Sequence, residues 1–91
     1  MRKITQRAVK AFYNGKDFKR GNTEVSDRGY FLHGNKIAEF DGNEKINITL
    51  ANWNTVTTRE RLNGLKGVSI RTKQGQAFIN GKEWNGSWIT I

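Results

Sequence analysis

The chain offers few side chains that could move protons or hold a metal. His33 is the single histidine and there is no cysteine. Neither a Cys–His nucleophile pair nor a histidine-based metal cluster can therefore be built in one chain. His33 falls at the end of a predicted hairpin. A functional His33 would be a general base or a contact residue; otherwise it is a polar residue flanking a turn. Asp41-Gly42-Asn43-Glu44 has some of the look of a calcium loop, but its glycine comes too early and no acidic residue closes the loop at the required distance. The ten glycines never form G-x-x-x-x-G-K-[ST] or G-x-G-x-x-G, so no nucleotide-phosphate cradle is indicated. In Arg59-Glu60-Arg61 the carboxylate is accounted for by helix capping, because Thr57 and Glu60 have S/T-x-x-E spacing. That leaves Arg59 and Arg61 as contact candidates. The reading is a non-enzyme with no catalytic residues, no metal ligands and no cofactor.

What remains is positive charge. The formal net charge is +8, and it is uneven. Residues 1–20 carry seven basic side chains against Asp17 alone, residues 21–57 carry three against five acidic ones, and residues 58–91 carry six against two. A basic excess placed in this way favours a polyanionic partner, although solubility alone also uses such charge. The candidate contact set is Lys3, Arg7, Lys10, Lys16, Lys19 and Arg20, with Arg59 and Arg61. Phosphates of DNA or RNA would accept charge-assisted hydrogen bonds from these groups, with counterion release driving association. An acidic protein is the other partner they suit. Tyr13, Phe31, Trp84 and Trp88 are available to stack on bases, and Trp84 or Trp88 to anchor a protein partner, but most aromatics in so small a domain are needed for its core. No RNP-type, zinc-finger or helix-turn-helix pattern is present.

These groups must be positioned by short elements. At 91 residues the chain is one domain, 1–91, with a modest core. It has no proline, and Asn-Gly and Gly-Asn pairs punctuate it instead. A helix is predicted over Thr5–Tyr13, capped by Thr5 and ended by Asn14-Gly15. Ile4, Ala8, Ala11 and Phe12 form its apolar side, and Lys3, Arg7 and Lys10 a neighbouring stripe. Residues 16–22 read as a basic connector. Thr23–Ser26, Tyr30–His33, Lys36–Asp41 and Lys45–Leu50 read as a meander. A two-residue turn at Gly34-Asn35 pairs Leu32 with Ile37. A second at Gly42-Asn43 pairs Ile37 with Ile48, but sets Asp41 beside Glu44. A three-residue loop would pair Phe40 with Ile46 instead; the shorter loop is preferred as the commoner hairpin.

The chain switches from strand to helix within Asn52–Leu65, NWNTVTTRERLNGL. Thr57 is the predicted cap, Leu62 and Leu65 the buried side, Asn63-Gly64 a left-handed stop, and Trp53 a buried anchor beside Leu62. Gly67–Thr72 and Gln76–Ile79 then form a hairpin about Gln74-Gly75, Asn80-Gly81 turns into Trp84, and Trp88–Ile91 closes the sheet. The expected class is α+β: an N-terminal helix and one short central helix packed on an antiparallel, hairpin-rich sheet. The N-terminus lacks the apolar run of a signal peptide, and no stretch approaches transmembrane length.

The blocks AFYNGKDFKRGNTEV, LHGNKIA, NWNTVTTRERLNGL and NGKEWNGSW resemble a recurring type of small protein encoded by tailed bacteriophages, and the likeness extends over nearly the whole chain. The resemblance implies expression in the cytoplasm of an infected bacterium and transfers no catalytic or binding residues. It also implies action by binding host or phage macromolecules. The two readings become a nucleic-acid-binding accessory protein and a modulator of a host defence or transcription component.

Overall fold

The computed structural model describes residues 2–42 and 44–91. Helix α1 spans Lys3–Tyr13, with Arg2 at its N-cap position and no side-chain cap. Thr5 lies inside the first turn and is buried, so it does not begin the helix as its type predicts. Thr5, Ala8 and Phe12 make the buried side. The C-terminus closes as expected at Asn14-Gly15. Gly15 has φ +66°, Gly15 N–H donates to Phe12 O (3.4 Å), and Lys16 N–H to Ala11 O (2.9 Å). This is the Schellman arrangement, for which a residue without Cβ is best suited.

Strands follow as β1 (Phe18–Arg20), β2 (Thr23–Ser26), β3 (Gly29–Leu32), β4 (Asn35–Phe40) and β5 (Ile46–Ile48). Helix α2 (Val56–Asn63) precedes β6 (Ile70–Lys73), β7 (Gln76–Ile79), β8 (Lys82–Trp84) and β9 (Ile89–Thr90). The fold is α+β, as expected, but the strands form two antiparallel sheets rather than one: β1-β2-β3-β4-β5-β9 and β6-β7-β8. The stretch expected as a basic connector supplies β1, which pairs Phe18 with Val25 and Arg20 with Thr23.

Two registers differ from expectation. The β3–β4 turn is His33-Gly34, one residue early, with φ +52° and +80°. Two consecutive positive φ values match the right-handed twist of the flanking strands. Leu32 consequently faces Asn35, and Phe31 faces Lys36. The register then shifts so that Tyr30 faces Ala38, leaving Ile37 as the extra residue of a bulge. Ile37 and Ala38 are both buried as a result. Of the expected turn Gly42-Asn43, Asn43 lies outside the described residues. The β4–β5 register is the longer-loop version, with Phe40 facing Ile46. Asp41 N–H donates to Lys45 O (2.8 Å), and Asp41 Oδ1 accepts from Lys45 N–H (3.0 Å). Asp41 thus meets Lys45, which avoids the like-charge pairing with Glu44.

The core is built from the two helices, one face of the larger sheet and the smaller sheet, which contributes Ile70, Ala77, Ile79 and Trp84. Phe12 stacks on Phe40 with ring centroids 4.6 Å apart and meets Tyr30 at 5.7 Å. Helix α2 supplies Leu62, and Leu65 follows it; both are fully buried, as expected. Its cap is Thr55, whose Oγ1 accepts from Thr58 N–H at 3.1 Å. The expected capping box of Thr57 and Glu60 is not formed. The reason is local: Ala51 and Asn52, at φ +52° and +65°, make a tight turn closed by Trp53 N–H to Leu50 O (2.8 Å). The chain is then ready to enter the helix two residues sooner. Thr55→Ala is expected to lower stability by about 1 kcal/mol and Thr57→Ala by less. Thermal melts of the two variants check this, and the reverse order would restore Thr57 as the cap.

The helix also stops differently. Gly64 has φ −71°, in the right-handed region, and the left-handed glycine is Gly67 at +79°. Gly64 is needed for space: a Cβ there would lie 2.7 Å from Thr5 Cγ2 and 2.9 Å from Val9 Cγ2. The missing Cβ lets the end of α2 lie directly against Thr5 and Val9 of α1. Asn63 meanwhile donates from Nδ2 to Ile70 O (3.1 Å) and accepts at Oδ1 from Ile70 N–H (2.7 Å). That pair fastens the smaller sheet to α2.

Candidate nucleic-acid interface

The three α1 cations are all exposed. At 3.6 residues per turn, Lys3, Arg7 and Lys10 fall on the side opposite Thr5, Ala8 and Phe12. The helix contains no acidic residue to neutralise them. Lys16 follows the helix end and is exposed as well.

The remaining expected contacts separate. Lys19 and Arg20 are adjacent on β1, and successive side chains of a strand point to opposite faces. Arg20 pairs with Thr23, which is buried against the helices, so Arg20 starts from the helix-bearing face. Lys19 sits on the outer face, opposite Glu24. There it joins a row that continues through Phe31 to Lys36, whose Nζ is 5.8 Å from the Phe31 ring centroid. Arg59 is half-buried and donates to Asn54 Oδ1.

Arg61 leaves the surface altogether, at 2% exposure. Its Nε donates to Thr23 Oγ1 (3.0 Å), and its Nη1 to Thr5 Oγ1 (3.1 Å) and to Glu60 Oε1. Thr5 Oγ1 also donates to Glu60 Oε1. The Glu60 carboxylate, expected to cap a helix, is instead the counter-ion of a buried guanidinium. Its other oxygen is buried and without a hydrogen-bond partner among the described residues. Tyr30 OH donates to Arg61 O at 3.3 Å. Burial pushes the Tyr30 phenol well above the usual tyrosine range. The Arg61 charge acts in the opposite sense, and Glu60 reinforces the rise. The phenol therefore stays protonated and remains a donor. Nothing in the residue types at 5, 23, 30 and 61 announced this cluster, because its members come from four different elements.

Among the described residues, the ion pairs are Lys36–Glu39 and Arg61–Glu60. None of Lys3, Arg7, Lys10, Lys16, Lys19 and Arg20 takes part in one. Of the candidate aromatic contacts, Trp84 is in the core with its Nε1 donating to Ser87 O (3.0 Å), and Phe31 is half-buried. Tyr13 is exposed, but its hydroxyl accepts from Lys66 N–H (2.8 Å). Trp88 is 49% exposed. Trp53, expected to be buried, is 58% exposed. The Ala51-Asn52 turn carries it to the surface, and Leu62 is fully buried without it. His33 occupies the β3–β4 turn, as a turn-flanking residue would. No group of three or more His, Asp or Glu side chains able to hold a metal ion occurs among the described residues.

Residues 1–90 match the family model described as Kyanoviridae Gp96 protein. The chain belongs to this phage protein family. The likeness to tailed-phage proteins is therefore confirmed over nearly its whole length. No curated protein and no solved structure matches the chain. No helix among the described residues is long and apolar enough to cross a membrane.

Proposed function

We propose that this phage protein is a non-enzymatic accessory factor that binds nucleic acid, or a nucleic-acid-bearing complex, in the cytoplasm of the infected bacterium. One observation carries the reading: exposed cations without ion-pair partners among the described residues stand on a helix that the core holds in place. Lys3, Arg7 and Lys10 form the central contact, extended by Lys16, Lys19 and Arg20. Arg59 is a peripheral contact, and buried Arg61 has none. Because α1 is already ordered, docking phosphates on it costs less conformational entropy than ordering a basic tail.

Changing Lys3, Arg7 and Lys10 together to Glu is expected to preserve the fold and to weaken DNA or RNA binding sharply. Replacing one of them with Ala should reduce the slope of log affinity against log salt by about one unit. Anisotropy titrations at several salt concentrations read both effects. Wild-type protein that binds no DNA or RNA at any salt concentration would sink the proposal. A second reading, a modulator of an acidic host protein, draws support from the exposed Trp53 and Trp88, since tryptophan is a frequent anchor of protein interfaces. A pull-down from infected-cell lysate with and without nuclease separates the two. One stoichiometric protein partner that survives nuclease favours the modulator.

A further inference from the structure

We infer that the nucleic acid is single-stranded, and that a groove beside Trp53 receives one of its unstacked bases; this rests on the nucleic-acid reading above. The groove has a volume of about 450 Å³. Its lining includes Leu32, Ile37 and Leu50, which we take as its floor because they are buried, and His33, Trp53 and Thr57, which are more exposed. The floor residues are core residues with little exposure. The Thr57 hydroxyl has no hydrogen-bond partner among the described residues, because the capping role fell to Thr55. An apolar floor, an exposed indole and a spare hydroxyl suit a flat heteroaromatic ring with polar edges.

Charge connects this groove to the cationic surface. Across the sheet, Arg20 faces Thr23, Thr23 faces Leu32, and Leu32 faces Asn35. Arg20 is therefore two strand spacings, roughly 10 Å, from the groove floor and starts on the same face. The β1–β2 turn is tied to the groove rim, since His33 N–H donates to Asn22 O (2.8 Å) and the Asn22 amide lies 3.3 Å from His33 Nε2. The first turn of α1 belongs to the same end of the molecule, because Arg61 joins Thr5 to Thr23. The first turn of α1, which carries Lys3, thus lies at the same end as Arg20 and the groove.

Trp53 is held there by a costly backbone. Ala51 takes a left-handed conformation that residues with a Cβ seldom adopt. The turn is braced by Ala51 N–H to Thr49 Oγ1 (3.1 Å) and by Thr49 Oγ1–H to Gly86 O (2.7 Å). Such strain persists where surrounding structure enforces it, and here it displays an indole instead of burying it. A duplex keeps its bases stacked inside and could meet only the cations. A single strand can turn a base outward onto an aromatic ring.

The test compares an oligothymidine of about a dozen nucleotides with a duplex of the same length, by anisotropy at fixed salt. Wild-type protein should prefer the single strand. Trp53→Ala should weaken single-strand binding by roughly tenfold or more, with Trp53→Phe recovering much of the loss. The salt slope and duplex binding should not change, because no charge is removed. Equal affinity for the two forms, or a Trp53→Ala variant that binds the single strand like wild type, overturns the groove while the cationic surface stands. Absence of all nucleic-acid binding, or a protein partner bound through Trp53 after nuclease, overturns both.

Discussion

Arg61→Ala is expected to remove about 3–5 kcal/mol of folding stability, the usual result of breaking a buried ion pair from one side. The guanidinium donates to Thr5, Thr23 and Glu60 and so joins α2 to α1 and to β2. Truncating it leaves the Glu60 carboxylate facing a cavity, with one oxygen already buried and without a partner among the described residues. For a domain of this size, that loss would be a large part of the total stability. It would lower the melting temperature by more than ten degrees. A double change to Arg61→Met with Glu60→Gln removes both charges while keeping much of the volume, and is expected to recover part of the loss. Arg59→Ala, two positions away, should stay within about half a kcal/mol of wild type. Urea denaturation of the three variants checks the order. If Arg61→Ala melts within a degree or two of wild type, the network does not hold the helices.

Gly64→Ala is the second large effect, and helix propensity alone predicts its sign wrongly. In a right-handed backbone at a helix end, Ala normally gains up to about 1 kcal/mol over Gly. Here its Cβ would sit 2.7 Å from Thr5 Cγ2 and 2.9 Å from Val9 Cγ2. Both neighbours are short, branched side chains with stiff χ1 angles, and Thr5 is further fixed by Glu60 and Arg61. Neither can swing aside, so α1 must move as a unit. A net destabilisation of about 1–3 kcal/mol is expected. A Gly64→Ala protein at least as stable as wild type in urea would show that the two helices tolerate separation.

Much of this architecture was legible in the sequence. The apolar spacing of α1, its Asn14-Gly15 end, and the turns at Gln74-Gly75 and Asn80-Gly81 report local rules, and local rules act within a few residues. The errors occurred where two local signals competed or where a distant element decided. Thr55 and Thr57 are both capping types, and the Ala51-Asn52 turn chose between them. Gly34 takes part in a tight turn whether His33 or Asn35 is its companion, and the bulge at Ile37 resolved the register. Strand β1 was hidden because three residues are too few to display alternation. For the candidate surface, the exposed cations of α1 followed from helical periodicity. Glu60 reads as a capping carboxylate and Arg61 as a surface contact because a charged residue gives no local sign of being buried. The polar atoms that receive Arg61 are contributed from Thr5 and Thr23, far away in sequence. Trp53 misled in the opposite direction, since size and apolarity argue for burial only when the backbone allows it.

Strand β1 has a further consequence. It is the outermost strand of the six-stranded sheet, with its unpaired edge toward solvent. An open edge of this kind invites strands of other molecules to continue the sheet, and short length and basic side chains are common ways of discouraging them. With only Phe18, Lys19 and Arg20, β1 has both. Two of the cations assigned to phosphate contact therefore also guard against self-association. Neutralising Lys19 and Arg20 with apolar residues would expose a short adhesive edge as well as weaken contact with a polyanion. Replacing them with Glu would remove only the second property, since a like-charged edge still repels its copies.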